Sequence, residues 1–381
     1  MPEGFEIYVV KPGDTVDSIA KQYGVNVNIV IEDNQIVFPY ALAIGQALFI
    51  DFGTRSPFKN LRVSGYAYPF ISKWVLRQTL PYLSELPIFS YGFTTEGELI
   101  PPELPEDWMI NMAKEYGTLP ILTLTPFDEN GNFSNILISQ VVNNQQYIDN
   151  LTNNLLTTMY QKGYAGIDID FEYILAEDRD AFTNFVAQVA DAMRNNGFHT
   201  SIALAPKTSR EQKGLLYEGK DYRALGELVE HTLIMTYEWG YTYGPPMAVA
   251  PINQVRRVVE YAVKEIEPAK IDLGIPNYGY DWSLPYVRGK TAATTLGNVQ
   301  AVQRAITQGV PIQFDELSQS PYFTYNQDGI QHEVWFEDVR SIQKKFELIN
   351  EYTLGGCGYW QIMRWWRVNW KLLEKYFYIK K

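Results

Sequence analysis

Three carboxylates stand at alternate positions in the run Gly166-Ile167-Asp168-Ile169-Asp170-Phe171-Glu172. On a strand, a period of two puts Asp168, Asp170 and Glu172 on one face and the apolar residues on the other. Like charges this close repel one another and are costly to take out of water. The run is therefore a poor choice for stability. It is a good choice for acid/base work, because mutual repulsion spreads the carboxyl pKa values. One group is then left protonated near neutral pH, able to act as an acid. The plainer alternative is a solvated strand edge.

The elements that must position such a site are legible downstream of residue 60. Apolar strand-like runs alternate with amphipathic helical ones. The strand candidates are Leu61–Ala67, Ile88–Tyr91, Leu119–Leu124, Gly166–Phe171, Ser201–Ala205, Thr232–Tyr237, Ile271–Pro276 and Gly356–Trp360. Tyr147–Tyr160, Ala181–Met193 and Val255–Ile266 carry helical periodicity between them. Eight such repeats predict an α/β fold, a (β/α)8 TIM barrel, over residues 61–381. The gap before the last strand is too long for one helix. It predicts a small α+β insertion at about 283–335, with Tyr322–Tyr325 and Glu333–Phe336 as hairpin strands around a turn at Asn326–Gly329.

Composition narrows the partners. The chain has 381 residues, 46% hydrophobic and 20% charged, as in an ordinary globule. A net charge of -12 argues against nucleic acid and anionic membrane. No stretch is long and apolar enough to span a bilayer, and a monomer is expected. The 27 Tyr, 19 Phe and 9 Trp offer flat faces that stack on the C–H faces of sugar rings. The single Cys357 excludes an internal disulfide. His199, His231 and His332 show no short spacing, so neither a metal site nor any cofactor is expected. The N-terminus carries no visible secretory signal.

Residues 1–51 read as a separate unit, with 52–60 as its linker. Ile7–Val10 is a strand candidate, Lys11-Pro12-Gly13-Asp14 a turn, and Asp14 or Thr15 a helix cap. Gly24 ends that helix, a second starts near Asn26, and Gly45–Ile50 closes as a strand. This strand–helix–helix–strand order resembles the LysM module, on Tyr8, Gly13-Asp14-Thr15, Tyr23-Gly24-Val25, Asn34 and Gly45-Gln46. The resemblance implies binding of N-acetylglucosamine-containing glycans, through Gly13, Asp14, Thr15, Asn34, Gln35 and Ile36.

The acidic run resembles the D-G-x-D-x-D-x-E signature of glycoside hydrolase family 18, the chitinase-like hydrolases. Ala165 stands where that pattern has its first Asp, so no deeper carboxylate is expected to couple with Asp168 from that position. Met235-Thr236-Tyr237-Glu238-Trp239 is similar to the family's M-x-Y-D element, with Glu in place of Asp. Asn277-Tyr278-Gly279-Tyr280-Asp281-Trp282 and Trp360 end the last two strands. The resemblance implies that Glu172 is the general acid and that the substrate's own acetamide is the nucleophile. It implies that Asp170 holds the acetamide N–H, that Asp168 shares a proton with Asp170, and that Tyr237 donates to the acetamide oxygen. Tyr66, Glu238, Trp239, Asn277, Tyr278, Tyr280, Trp282 and Trp360 are expected to contact substrate.

With one LysM-like unit, the pattern looks most like the spore cortex-lytic hydrolases of endospore formers. That implies a peptidoglycan substrate and a place at the spore coat, cortex or cell wall. A chitinase, a non-catalytic chitolectin and a metal-dependent barrel hydrolase are the rivals.

Overall fold

The computed structural model describes residues 4–53, 57, 59–127, 131 and 133–381. Thr54, Arg55 and Ser56 of the expected linker, with Met1–Glu3, lie outside them.

Eight parallel strands close on themselves: Lys59–Gly65, Glu85–Phe93, Leu119–Leu124, Gly166–Ile169, His199–Leu204, His231–Ile234, Ile271–Pro276 and Gly356–Trp360. The ring closes where Ser64 pairs with Glu85. All eight expected strands are present, with shifted ends. The fourth stops at Ile169 rather than Phe171, though Asp170 N–H still bonds Leu124 C=O at 2.9 Å. The sixth stops at Ile234 rather than Tyr237. There the backbone turns back on itself, Thr236 N–H to Ile234 C=O and Tyr237 N–H to Met235 C=O.

Helices cover the outside of the ring. Arg179–Asn195 shows why: Phe182, Phe185, Val186, Val189, Ala190 and Met193 recur every three to four residues and are all buried. Phe171, pointing outward from the acidic run, stacks on Phe93 at 5.4 Å and on Phe185 at 5.6 Å. This packing fixes which way the acids face. Two strands of this sheet were not foreseen: Leu99–Ile100 pairs antiparallel with Gly92–Phe93, and Phe377–Ile379 pairs in parallel with Lys59–Leu61 and widens the sheet at its start.

The insertion is a five-stranded antiparallel sheet with the helix Asn298–Gln308. Its hairpin strands, Ser320–Gln327 and Ile330–Trp335, are longer than expected and leave only Asp328-Gly329 in the turn. Both turn residues have positive φ, 52° and 79°, which a two-residue hairpin turn requires.

Residues 4–53 form the expected small unit. Phe5–Val9 pairs antiparallel with Ala47–Asp51, and the helices Val16–Tyr23 and Val27–Asp33 lie between them. Thr15 caps the first helix and Gly24 ends it at φ 66°. The unit is not tethered at a distance. Phe49 is buried in the barrel's own core cluster, and Phe5, stacked on it at 5.4 Å, also meets Tyr376. Asp33 pairs with Arg367 at 2.9 Å and Asp51 with Lys375 at 2.5 Å.

The closed end of the barrel holds a buried ionic cluster. His231 lies between Glu85 at 3.2 Å and Asp272 at 2.8 Å, and Arg62 reaches Asp272 at 2.6 Å. With His199, ligand atoms of Glu85 and His231 converge within 4.8 Å of one another, which short His spacing in the chain did not reveal. Burial lowers the His231 pKa, but Glu85 and Asp272 more than reverse this and lift it to about 10. Burial likewise raises Glu85, and His231 above all pulls it back down to about 2. A His231 charged at neutral pH would sit between two carboxylates, as an ion pair requires. The cluster acts as a neutralised ion network.

Candidate active site

A cavity of about 660 Å³ opens at the C-terminal ends of the barrel strands. Asp170, Glu172, Tyr237, Glu238, Tyr66 and Trp360 line it, together with Tyr68, Phe89, Phe127, Phe133, Tyr173, Leu216, Met235 and Tyr241. All of these but Phe89, which lies within its strand, come from a strand end or the loop that follows, where this barrel class places its chemistry.

Asp168 lies beneath the cavity rather than in its wall. Its two oxygens accept from the Tyr66 hydroxyl at 2.8 Å and the Ser201 hydroxyl at 2.7 Å. Tyr66 and Ser201 thus brace Asp168 from two sides, directly below Asp170 on the same strand face. Tyr66 thus lines the cavity and braces the acid below it.

Asp170 is 5% exposed, and its Oδ1 has no hydrogen-bond partner. Burial, then the charge of Glu172, then that of Asp168, push its pKa well up. Burial also raises Glu172, against the opposing charge of Lys220. Two carboxyls raised in one compartment share protons and titrate as a pair. Such a pair supplies an acid and a carboxylate acceptor side by side.

Tyr237 owes its place to a glycine. A Cβ on Gly274 would lie 2.8 Å from its ring and 2.5 Å from Ile234 C=O. Burial and the nearby carboxylates raise the Tyr237 hydroxyl well above its usual value, so it stays a donor. Glu238 stands at the rim with φ 66°, a strained conformation of the kind found at functional sites. Its carboxylate accepts from the hydroxyls of Tyr280 at 2.9 Å and of Tyr278.

Trp360 is half-buried in the cavity wall, braced edge-on by Phe89 at 4.9 Å, Tyr66 at 5.8 Å and Tyr68 at 6.0 Å. Beyond Tyr68 and Phe89 a second hollow of about 480 Å³ continues past Phe70, Ile100 and Leu104. Tyr68 and Phe70 stack there at 5.1 Å.

Several expected contacts face elsewhere. Trp282 is 0% exposed and its indole N–H donates to Gly244 C=O, so its ring has no face for a sugar. Asn277 is a buried clamp, its amide donating to Gln361 C=O and Arg364 C=O at 3.0 Å each. Tyr278 and Tyr280 stand behind Glu238 and do not line the cavity. Trp239 packs on the barrel core. Phe127, Phe133 and Tyr173 were missed. They sit on loops, and only the excess of aromatic residues hinted at them.

In the small unit, most of the expected glycan residues have structural work. Asp14 accepts from Tyr8 hydroxyl and Lys11 N–H at 2.7 Å each, and Thr15 is the helix cap. Asn34 bonds Phe49 N–H at 2.7 Å. Gln35 accepts Arg367 N–H at 2.6 Å, and Ile36 lies against the barrel. Gln35 therefore belongs to the contact with the barrel, Asn34 ties the unit's own helix to its strand, and Gly13 and Thr15 face solvent.

The family model for glycosyl hydrolases family 18 matches residues 126–364, and that for the LysM domain matches residues 8–51. The cortical fragment-lytic enzyme of Bacillus subtilis (strain 168) is 37% identical, over 99% of both chains. The spore cortex-lytic enzyme SleL of Bacillus megaterium QM B1551 superposes with a TM-score of 0.93 at 34% identity, over 100% of both chains. A chitinase of Chromobacterium violaceum, at 24% identity and TM-score 0.75 over 83% of this chain, shares the fold. The acids beneath an aromatic cavity, the barrel that presents them and these matches agree: the chain belongs to glycoside hydrolase family 18 and carries an N-terminal LysM domain.

Proposed function

We propose that this glycoside hydrolase cleaves the β-1,4 bond after N-acetylglucosamine in spore cortex peptidoglycan, with retention and with the substrate's acetamide as nucleophile. The observation that carries this reading is the buried, unpartnered Oδ1 of Asp170 beside Glu172 in the cavity wall. An orphaned carboxylate oxygen there is costly unless a ligand N–H completes it. The acetamide N–H is such a donor.

The steps follow. Glu172 gives its proton to the glycosidic oxygen while the acetamide oxygen attacks the anomeric carbon. The bond to the leaving sugar breaks and an oxazolinium ion forms. Asp170 accepts the N–H and offsets the positive charge, and Tyr237 donates to the acetamide oxygen. Water then attacks the anomeric carbon, its proton passing to Glu172. Two displacements leave the configuration unchanged. Trp360 supplies the apolar face under the sugar.

The cortex as substrate is supported by the names of the similar Bacillus enzymes, given for cortical fragment-lytic and spore cortex-lytic activity. The LysM and family 18 domains together indicate binding of N-acetylglucosamine-containing glycans. In this reading the LysM unit meets glycan through its solvent-facing turn at Gly13–Thr15, and the protein works as a monomer at the spore or cell wall. Mass spectrometry of digests tests it. Cortex fragments should yield products with N-acetylglucosamine at the new reducing end, at a higher rate than chitin oligomers of equal length. Faster turnover of chitin oligomers would make the protein a chitinase.

A further inference from the structure

The buried charges around the cavity include one cation that the steps above leave unused. Lys220 is 1% exposed, and its ammonium has no hydrogen-bond partner. Its neighbour Lys207 is different, since that ammonium is spent on Tyr217 C=O at 3.2 Å and Lys220 C=O at 3.0 Å. The loop carrying Lys220 is pressed against the segment that follows Glu172. A Cβ on Gly219 would lie 2.5 Å from both the side chain and the carbonyl of Ile174. Leu216, from the same loop, lines the cavity.

A lone ammonium without partners is expensive to bury, and so is a carboxylate oxygen without partners. Here the residue before Lys220 touches Ile174, two positions past Glu172, and the charges of Glu172 and Asp170 both act on the ammonium. We propose that Lys220 is a positioning residue for the reaction: its buried ammonium balances the acids so that one carboxylate stays ionised beside a protonated Glu172. This rests on the reading of Glu172 as acid and Asp170 as the acetamide acceptor.

The groups that face it support this. Burial pulls the Lys220 pKa down to about 8, held up first by Glu172 and then by Asp170, with Lys207 opposing. On the carboxyl side, Asp170 feels Glu172, Asp168 and Lys220, and Glu172 feels Lys220. Tyr237 and Glu238 face the same acids from the sixth strand end. Without Lys220, no opposing cation acts on Glu172 among the described residues, and both carboxyls bind protons more tightly.

The test is the pH profile of kcat/KM on a soluble fluorogenic chitobioside, for the full chain carrying Lys220→Met or Lys220→Gln. Losing the positive charge should move both limbs to higher pH, by about one unit, the low end for an opposite charge within several ångströms. A drop in rate with both limbs unmoved would overturn the proposal and leave Lys220 a packing residue. Lysine Cε NMR titration of the Glu172→Gln protein gives a second reading that keeps Lys220 in place. Its midpoint should fall below that of wild type, and an unchanged midpoint refutes the coupling. Near-wild-type turnover by Glu172→Gln would instead sink the acid assignment, while the NMR comparison would still decide on Lys220.

Discussion

Phe49→Ala tests whether the LysM unit and the barrel form one folding unit. Phe49 belongs to a LysM strand, yet it is fully buried in the barrel's core cluster and stacked on Phe5. Truncating a buried phenylalanine costs about 3–5 kcal/mol. Unfolding entropy is about 2.1 cal/mol/K per residue, so 381 residues melting together give about 0.8 kcal/mol/K. The whole protein should then melt about 4–6 °C lower, still in one transition. A LysM unit of about 50 residues melting alone has only about 0.1 kcal/mol/K. It would lose tens of degrees and leave the barrel untouched. Differential scanning calorimetry separates the two cases, with residual activity on a soluble oligosaccharide after heating as a check on the barrel. Two transitions, with the barrel's unmoved, would refute the reasoning. Phe38→Ala is the control, because that ring is 83% exposed on the same unit.

Glu172→Gln should lower kcat by at least ~10²-fold, the scale for losing a general acid, with glycan binding retained. Stability should fall as pH rises above neutrality. The folded pKa of His231, about 10, lies above its ordinary 6.5. Its contribution is therefore complete below about 6.5 and is lost on the way to 10. Urea midpoints across that range should decline more steeply in wild type than in His231→Gln, and equal slopes would contradict the ion network. EDTA should leave activity unchanged, since each assigned group acts by proton transfer, hydrogen bonding or stacking and none is assigned to a metal. Loss reversed by Zn²⁺ would reassign Glu85, His199 and His231 as ligands.

The central acids were legible because strand alternation is a local property. Asp168 and Asp170 face inward wherever Ile167, Ile169 and Phe171 must face the helices. The barrel was legible for the same reason, repeated eight times. Strand-end aromatics were not. Tyr280 and Trp282 enter the lobe's antiparallel sheet, whose pairing with Ile330–Trp335 turns them away from the cavity. No local pattern encodes that. The docking of the LysM unit was equally hidden. Phe5 and Asp33 lie in the small unit, and their partners Tyr376 and Arg367 lie over 300 positions on. Ala165 was a visible departure, and the fold places the deep carboxylate Glu85 on the second barrel strand instead.

The claim that the substrate supplies the nucleophile is tested most directly with a thiazoline analogue of the oxazolinium ion. The inhibition constant should be competitive and lie orders of magnitude below that of free N-acetylglucosamine, as for other intermediate-like ligands. Asp170→Asn should lose most of that advantage, because Asp170 is the group assigned to the ring N–H and its charge. An inhibition constant no better than that of the free sugar, or one unaffected by Asp170→Asn, would contradict the account.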